Sequence, residues 1–153
     1  FLARDRLGVK PLFYSCLGGR LMFASSCPAL RCFPRVGSAM DPAAVSHFLT
    51  TIRTTLGRRT LFRDISTLQP GEMLLASFGH PEPQIRRYWE IPIVPAADKP
   101  DIPLDAAVVR VRELLTDSVR SQLVSDVPLG GFLSGGLDSA IISSLAAELT
   151  GGT

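Results

Sequence analysis

Five small or acidic residues crowd into six positions of the 153-residue chain: Ser134, Gly135, Gly136, Asp138 and Ser139, within the stretch FLSGGLDSAIISSLAAEL. Glycines let a backbone turn inward and present its N–H groups, and serine hydroxyls add further donors. Such a set suits an anion, above all a phosphate. Several better-known patterns are excluded. The Walker loop needs Gly-Lys-Ser/Thr, and this stretch has no lysine. The dinucleotide turn G-x-G-x-x-G does not fit glycines at Gly130, Gly131, Gly135 and Gly136. A hydrolase elbow, G-x-S-x-G, would need glycine where Phe132 stands. The pattern left is S-G-G-x-D-S. Asp138 is its only carboxylate. A carboxylate beside a polyphosphate makes sense chiefly through Mg2+, because like charges otherwise repel. The alternative role for Asp138 is to cap the helix that follows.

A strand before the loop and a helix after it would position these groups. Val127–Leu133 is a short apolar run and reads as that strand. A helix is expected from Asp138 onward, with Ile141, Leu145 and Leu149 on one stripe. Upstream, Leu104, Val108, Val111, Leu115, Val119 and Leu123 recur at spacings of three and four. That spacing predicts a core-facing amphipathic helix over roughly 104–124. Residues 91–103, IPIVPAADKPDIP, hold four prolines in thirteen, which predicts an extended linker and a domain boundary. The first ninety or so residues read mainly as short strands. Leu12–Ser15 and Leu21–Ala24 flank Gly18-Gly19, a hairpin signal. Pro28–Phe33 fits one helical turn. Asp41-Pro42 opens a helix, with Val45, Phe48 and Leu49 on one face. Glu72–Ser77 and Ile85–Trp89 read as strands, and Gln69-Pro70-Gly71 as a turn.

Composition sets the outer bounds. The chain is 46% hydrophobic and 20% charged, ordinary for a globular protein. No apolar run reaches the ~18 residues a membrane span needs. No signal peptide is visible, and a cytoplasmic setting is expected. Cys16, Cys27 and Cys32 are odd in number and lack metal-ligand spacing, so they read as free thiols. With His47 and His80 the only histidines, a zinc site is not expected. Residues 1–89 hold twelve basic and five acidic side chains, and residues 90–153 hold four and nine. The reversal of sign coincides with the proline-rich linker. Arg58-Arg59 and Arg86-Arg87 lack interleaved aromatics and do not form one run, which argues for solvated faces and against a nucleic-acid partner.

The loop and its flanks together resemble a known family. Ser134-Gly-Gly-Leu-Asp-Ser139 looks like the pyrophosphate-binding loop of the N-type ATP pyrophosphatases. SDVPLGGFLSGGLDSAIISSLAA resembles more narrowly the start of the synthetase domain of glutamine-hydrolysing asparagine synthetases. ARDRLGVKPLFYS, RLMFASS, RTLFRDISTLQPGEML and RRYWEIP resemble successive segments of that family's glutaminase domain and its exit.

The resemblance implies an α+β part followed by an α/β part. Residues 1–90 would be the C-terminal part of an N-terminal-nucleophile (αββα) glutaminase domain, and residues 91–103 the linker. Residues 104–153 would begin a parallel-sheet synthetase domain of the adenine-nucleotide α-hydrolase kind. It further implies ATP and Mg2+ as cofactors, with aspartate, ATP and glutamine-derived ammonia as small-molecule substrates. Aspartate would be activated as a β-aspartyl-adenylate and aminated to asparagine, leaving AMP and diphosphate. On that reading Ser134, Gly135, Gly136 and Ser139 hold the β and γ phosphates, Leu133 is an ATP-contact position, and Asp138 is a magnesium ligand. The family's nucleophilic cysteine and glutamine-binding positions would lie upstream of Phe1, and its adenine-binding residues downstream of Thr153. The chain is therefore expected to be an interior piece that catalyses neither half-reaction alone, and a homodimer of the full-length protein is left open. RDRLGVKPL would be scaffold. Ser26, Cys27 and Pro28 depart from the family's usual glutamate, hydrophobic residue and lysine, and Gly131 and Ala140 stand where alanine and serine are common. Related amidotransferases making another amide, such as a β-lactam, and a non-catalytic nucleotide-binding homologue are the alternatives.

Overall fold

The computed structural model describes residues 1–77 and 82–151; His80 lies outside the described residues. The chain divides into two compact units, Phe1–Ile93 and Val94–Thr153. Helix and sheet are mixed.

The first unit is built on two antiparallel sheets. One has the order β3-β2-β6-β5-β4, the other β1-β7-β8. Strands β2 (Phe13–Leu17) and β3 (Arg20–Ala24) form the expected hairpin, with Tyr14 opposite Phe23. Gly18 and Gly19 both take positive φ, +56° and +71°, the conformation that a tight two-residue hairpin turn demands. Successive side chains of β2 then serve two cores. Tyr14 joins Leu68 and Leu74, while Phe13 packs against Leu30, Val36 and Ile65. Strands β4 (Thr55–Leu56), β5 (Arg59–Thr60) and β6 (Ser66–Thr67) have two residues each. The second sheet joins β1 (Leu2–Ala3), β7 (Glu72–Leu75) and β8 (Gln84–Arg87), with Glu72 opposite Arg87.

Two helices complete the unit. Helix α1 (Cys27–Arg31) is short, and the Ser26 hydroxyl accepts from Ala29 N. Helix α2 (Pro42–Thr51) starts as its sequence predicts, with the Asp41 carboxylate accepting from the N–H groups of Ala43 and Ala44. Val45 and Phe48 are half-buried, while Ala44 is the fully buried residue and Leu49, expected on the same face, is 77% exposed.

In the second unit, a short 3-10 helix (Ala96–Asp98) interrupts the proline-rich stretch. Helix α3 runs Leu104–Gln122 and α4 runs Leu137–Thr150. Leu104, Val108 and Val111, expected to face a core, are exposed; Val119 and Leu145 are the buried apolar residues of this unit. The spacing identified the apolar side of α3 correctly but not what covers it. Val127–Leu133 is also corrected: the chain there is irregular. A strand exists only through its ladder, and the described residues of this unit hold no other strand for it to pair with.

Candidate functional site

The S-G-G-x-D-S segment forms the turn into α4. Gly135 sits at φ +82°, a backbone state that L side chains avoid, and Gly136 follows as the N-cap in extended conformation. Helix α4 starts without a side-chain cap, and Ala140 N makes the first backbone bond, to Gly136 O. The N–H groups of Leu137, Asp138 and Ser139 precede that bond and have no partner within the helix. A side chain at Gly135 would project into open space.

The two serines meet across this turn. Ser134 Oγ and Ser139 Oγ are 3.0 Å apart. Gly136 N donates to Ser134 Oγ at 3.4 Å, and Ser139 Oγ donates to Gly136 O at 2.9 Å. These bonds are satisfied together when Ser134 donates to Ser139. They then close a ring through both hydroxyls and the Gly136 peptide groups. Turning the Ser134 hydroxyl outward frees one donor, which joins the unpaired N–H groups at the start of α4.

Asp138 lies in the first turn of α4 and is exposed. The cap is Gly136, so the capping role weighed for Asp138 is not the one it plays. An acidic group in a first helical turn is stabilised by the local dipole. Leu133 lies apart from the serine ring. It lines an apolar groove of about 500 Å³ with Val119, Leu123, Leu129, Ile142 and Ala146.

Among the described residues no group of three or more His, Cys, Asp or Glu side chains is arranged to hold a metal ion. The donor set of the loop still suits Mg2+. That ion commonly takes one or two carboxylates and fills its remaining positions with phosphate oxygens and water. Asp138 is the carboxylate available.

The RDRLGVKPL segment serves as scaffold. The Arg4 guanidinium donates to the carbonyls of Lys10, Gly8 and Leu68 and to Thr67 Oγ1. Asp5 accepts from Val9 N and Lys10 N at 2.9 Å each, and these backbone donors, Lys10 first, hold its carboxyl below the ordinary carboxylate range. Burial pushes the Cys16 and Cys27 thiols up, away from thiolate character.

One charged cluster is absent from the sequence reading. Glu72 is 2% exposed, yet it accepts from Arg58 at 2.6 Å and from Gln69 N at 3.0 Å, with Arg87 at 3.6 Å. The signal available was the recurrence of arginines at Arg58 and Arg87 around a lone acidic residue in a strand.

Comparison with known proteins assigns both parts. Residues 1–89 match the glutamine amidotransferase domain family model. The chain belongs to the glutamine amidotransferase domain family. Residues 110–152 match the asparagine synthase family model, and they include the whole S-G-G-x-D-S turn. The chain is similar to asparagine synthetase [glutamine-hydrolyzing] 3 of Bacillus subtilis (strain 168), at 37% identity over 96% of this chain and 23% of the relative. It is similar to asparagine synthetase [glutamine-hydrolyzing] 2 of the same organism, at 34% identity over 97% of this chain and 21% of the relative. The amidase chyE of Penicillium rubens is 28% identical over 96% of this chain and 21% of its own length. The chain thus spans about a fifth of the length of these curated relatives.

Proposed function

We propose that the chain is part of an ATP-dependent asparagine synthetase that takes its nitrogen from glutamine. Residues 1–90 contribute to the glutaminase domain, of the N-terminal-nucleophile type, and residues 104–153 open an ATP-pyrophosphatase domain. The observation that carries this reading is the uncapped start of α4, with Ser134 and Ser139 hydroxyls 3.0 Å apart beside it. Helix-start N–H groups and a turned-out Ser134 hydroxyl are the donors a β,γ-diphosphate needs when ATP is cut at its α phosphate. Gly135 and Gly136 keep side chains from blocking the approach. Asp138 would hold Mg2+, directly or through water, and the ion would neutralise charge on the departing diphosphate. Asp138 would orient that ion. The N–H groups of Leu137 and Asp138 stay fixed throughout, because the helix holds them.

The test is diphosphate release by the protein expressed from its complete reading frame, supplied with aspartate, ATP and glutamine. Aspartate-dependent release with asparagine formed in equal amount supports the reading. Absence of aspartate dependence overturns it. Similarity to the amidase chyE favours one second reading, an amidotransferase with a different acceptor. ATP-dependent diphosphate release that needs another carboxylate would select it.

A further inference from the structure

An open cavity of about 430 Å³ in the first unit is lined by Arg6, Arg87 and Trp89, with Glu90 beside them. Guanidinium and indole groups donate hydrogen bonds and cannot accept them. Among the described residues the Arg6 guanidinium has no acidic partner; its neighbour is the Trp89 ring, 5.9 Å away at the centroid. Arg87 has Glu72 at 3.6 Å and Glu90 at 3.8 Å, both beyond hydrogen-bond reach. Glu72 is already engaged, because Oε1 accepts from Arg58 at 2.6 Å and Oε2 from Gln69 N at 3.0 Å. The cavity therefore collects donors that the protein leaves to solvent. Its walls are held in place. The N–H groups of Tyr88 and Trp89 donate to Gly71 O at 2.8 and 3.2 Å, and Gly71 N donates to Asp5 O at 3.1 Å. The Tyr88 hydroxyl donates to Arg4 O at 2.6 Å. The segments that carry Arg6 and Trp89 are thus tied to one turn, which lowers the ordering cost of binding. Pro70 and Leu7 complete the lining, and Leu7 is 67% exposed, apolar surface left open to water.

We propose that this cavity binds a free α-amino acid with an apolar side chain. Each part of such a molecule meets a matching group. Its carboxylate accepts from Arg6 and Arg87, in charge-assisted hydrogen bonds. Its ammonium group faces Glu90, whose side chain is 75% exposed and is paired only at 3.8 Å. Its side chain covers Leu7, Pro70 and the Trp89 ring. Glu90 argues against a bare anion such as phosphate, which would lie against a like charge. The volume falls within the ordinary range of small-molecule sites. Every lining residue belongs to Phe1–Ile93, so the site is complete within the first unit. It stands independently of the phosphate site at Ser134–Ser139 and of the reaction proposed there.

The test is isothermal titration calorimetry on the protein expressed from its complete reading frame, with L-phenylalanine as the probe. Two analogues separate the contacts: hydrocinnamate lacks the ammonium group, and phenethylamine lacks the carboxylate. Wild type binds L-phenylalanine more tightly than either. Arg6→Gln weakens L-phenylalanine by about tenfold, the loss of a hydrogen bond to a charged group at an open site, and leaves phenethylamine unchanged. Glu90→Gln weakens L-phenylalanine and leaves hydrocinnamate unchanged. Arg6 and Glu90 are exposed, so both variants melt with wild type and the affinities compare folded proteins. Arg87 is left intact because it also faces Glu72. Absence of L-phenylalanine binding by wild type up to about 10 mM overturns the inference, and so does an affinity that Arg6→Gln leaves unchanged. Binding of inorganic phosphate that Arg6→Gln abolishes, with none of L-phenylalanine, overturns it in favour of a bare anion site.

Discussion

Ser134 and Ser139 share a hydrogen bond across the start of α4, and Ser139 also bonds the Gly136 carbonyl that begins the helix. One hydroxyl therefore shapes the turn while the other is free to rotate. Ser134→Ala removes a donor to bound phosphate but leaves the Ser139–Gly136 bond in place. A hydrogen bond to a charged group contributes roughly 1.5–3 kcal/mol, so diphosphate release should fall about ten- to a hundredfold. The melting temperature of the protein should barely change, because both hydroxyls are near the surface. A steady-state assay of diphosphate release beside a thermal melt checks both halves.

Asp138 carries the metal expectation. Asp138→Ala should abolish diphosphate release and spare glutamine hydrolysis. Asp138→Asn should retain some release at raised magnesium, because the amide oxygen is a weaker ligand of the same shape. A magnesium titration of each variant decides this, and release by Asp138→Ala at the wild-type rate would remove the residue from the mechanism.

Glu72 should dominate the stability of the first unit among its charged residues. Glu72→Gln leaves Arg58 and Arg87 facing a neutral amide oxygen in place of a buried negative charge, while both stay about half exposed. Because the guanidinium groups can rehydrate, the loss should lie near 1–3 kcal/mol, below that of a fully buried pair. Urea unfolding of wild type and variant gives the number. A change smaller than a few tenths of a kcal/mol would mean that the cluster adds nothing net.

Ile52 offers a gain. It ends α2 at φ +62° with its side chain 83% exposed, and its N–H donates to Phe48 O at 2.8 Å. A β-branched residue in that conformation costs about 1–2 kcal/mol, and glycine does not pay it. Ile52→Gly should stabilise the protein by about 0.5–1 kcal/mol after the entropy of glycine is subtracted. Denaturant midpoints of the two proteins measure the difference, and a destabilised variant contradicts it.

Acid should weaken the fold through Asp41 and Asp5. The Asp41 carboxyl is held below its ordinary value of 3.8, first by Ala44 N–H, then by Arg59 and Ala43 N–H. A carboxylate whose folded value is depressed stabilises the fold fully above the unfolded value. That stability is lost as pH falls from about 4 through the lower folded value. Stability measured from pH 7 downward should therefore stay level with respect to these groups until near that point. Asp41→Asn should flatten the acid limb, and an acid limb identical to wild type would refute the assignment.

Local signals were legible in the sequence. Gly18-Gly19 and Asp41-Pro42 specify a hairpin turn and a helix start through φ preferences and short-range hydrogen bonds, and both occur where expected. The loop composition pointed to an anion site, and the structure brings Ser134 and Ser139 together at a helix start. Long-range information was not legible. Glu72 meets Arg87 through the β7–β8 register and Arg58 from the turn that joins β4 to β5 of the other sheet, which no spacing along the chain encodes. Periodicity located the apolar side of α3, yet Val108 and Val111 lie exposed, since a stripe says nothing of its cover. Strands β4, β5 and β6 have two residues each, too few for alternation to register.

The exposed stretch 91–103 is also a seam for proteolysis. It offers Asp98 and Asp101 to an enzyme that cuts after acidic residues, while Pro100 shields Lys99 from trypsin. A cut there would release a basic piece and an acidic piece, because the charge changes sign at the same place. A cation exchanger would retain the basic piece and let the acidic one pass, so a brief digest turns the change of sign along the chain into a separation.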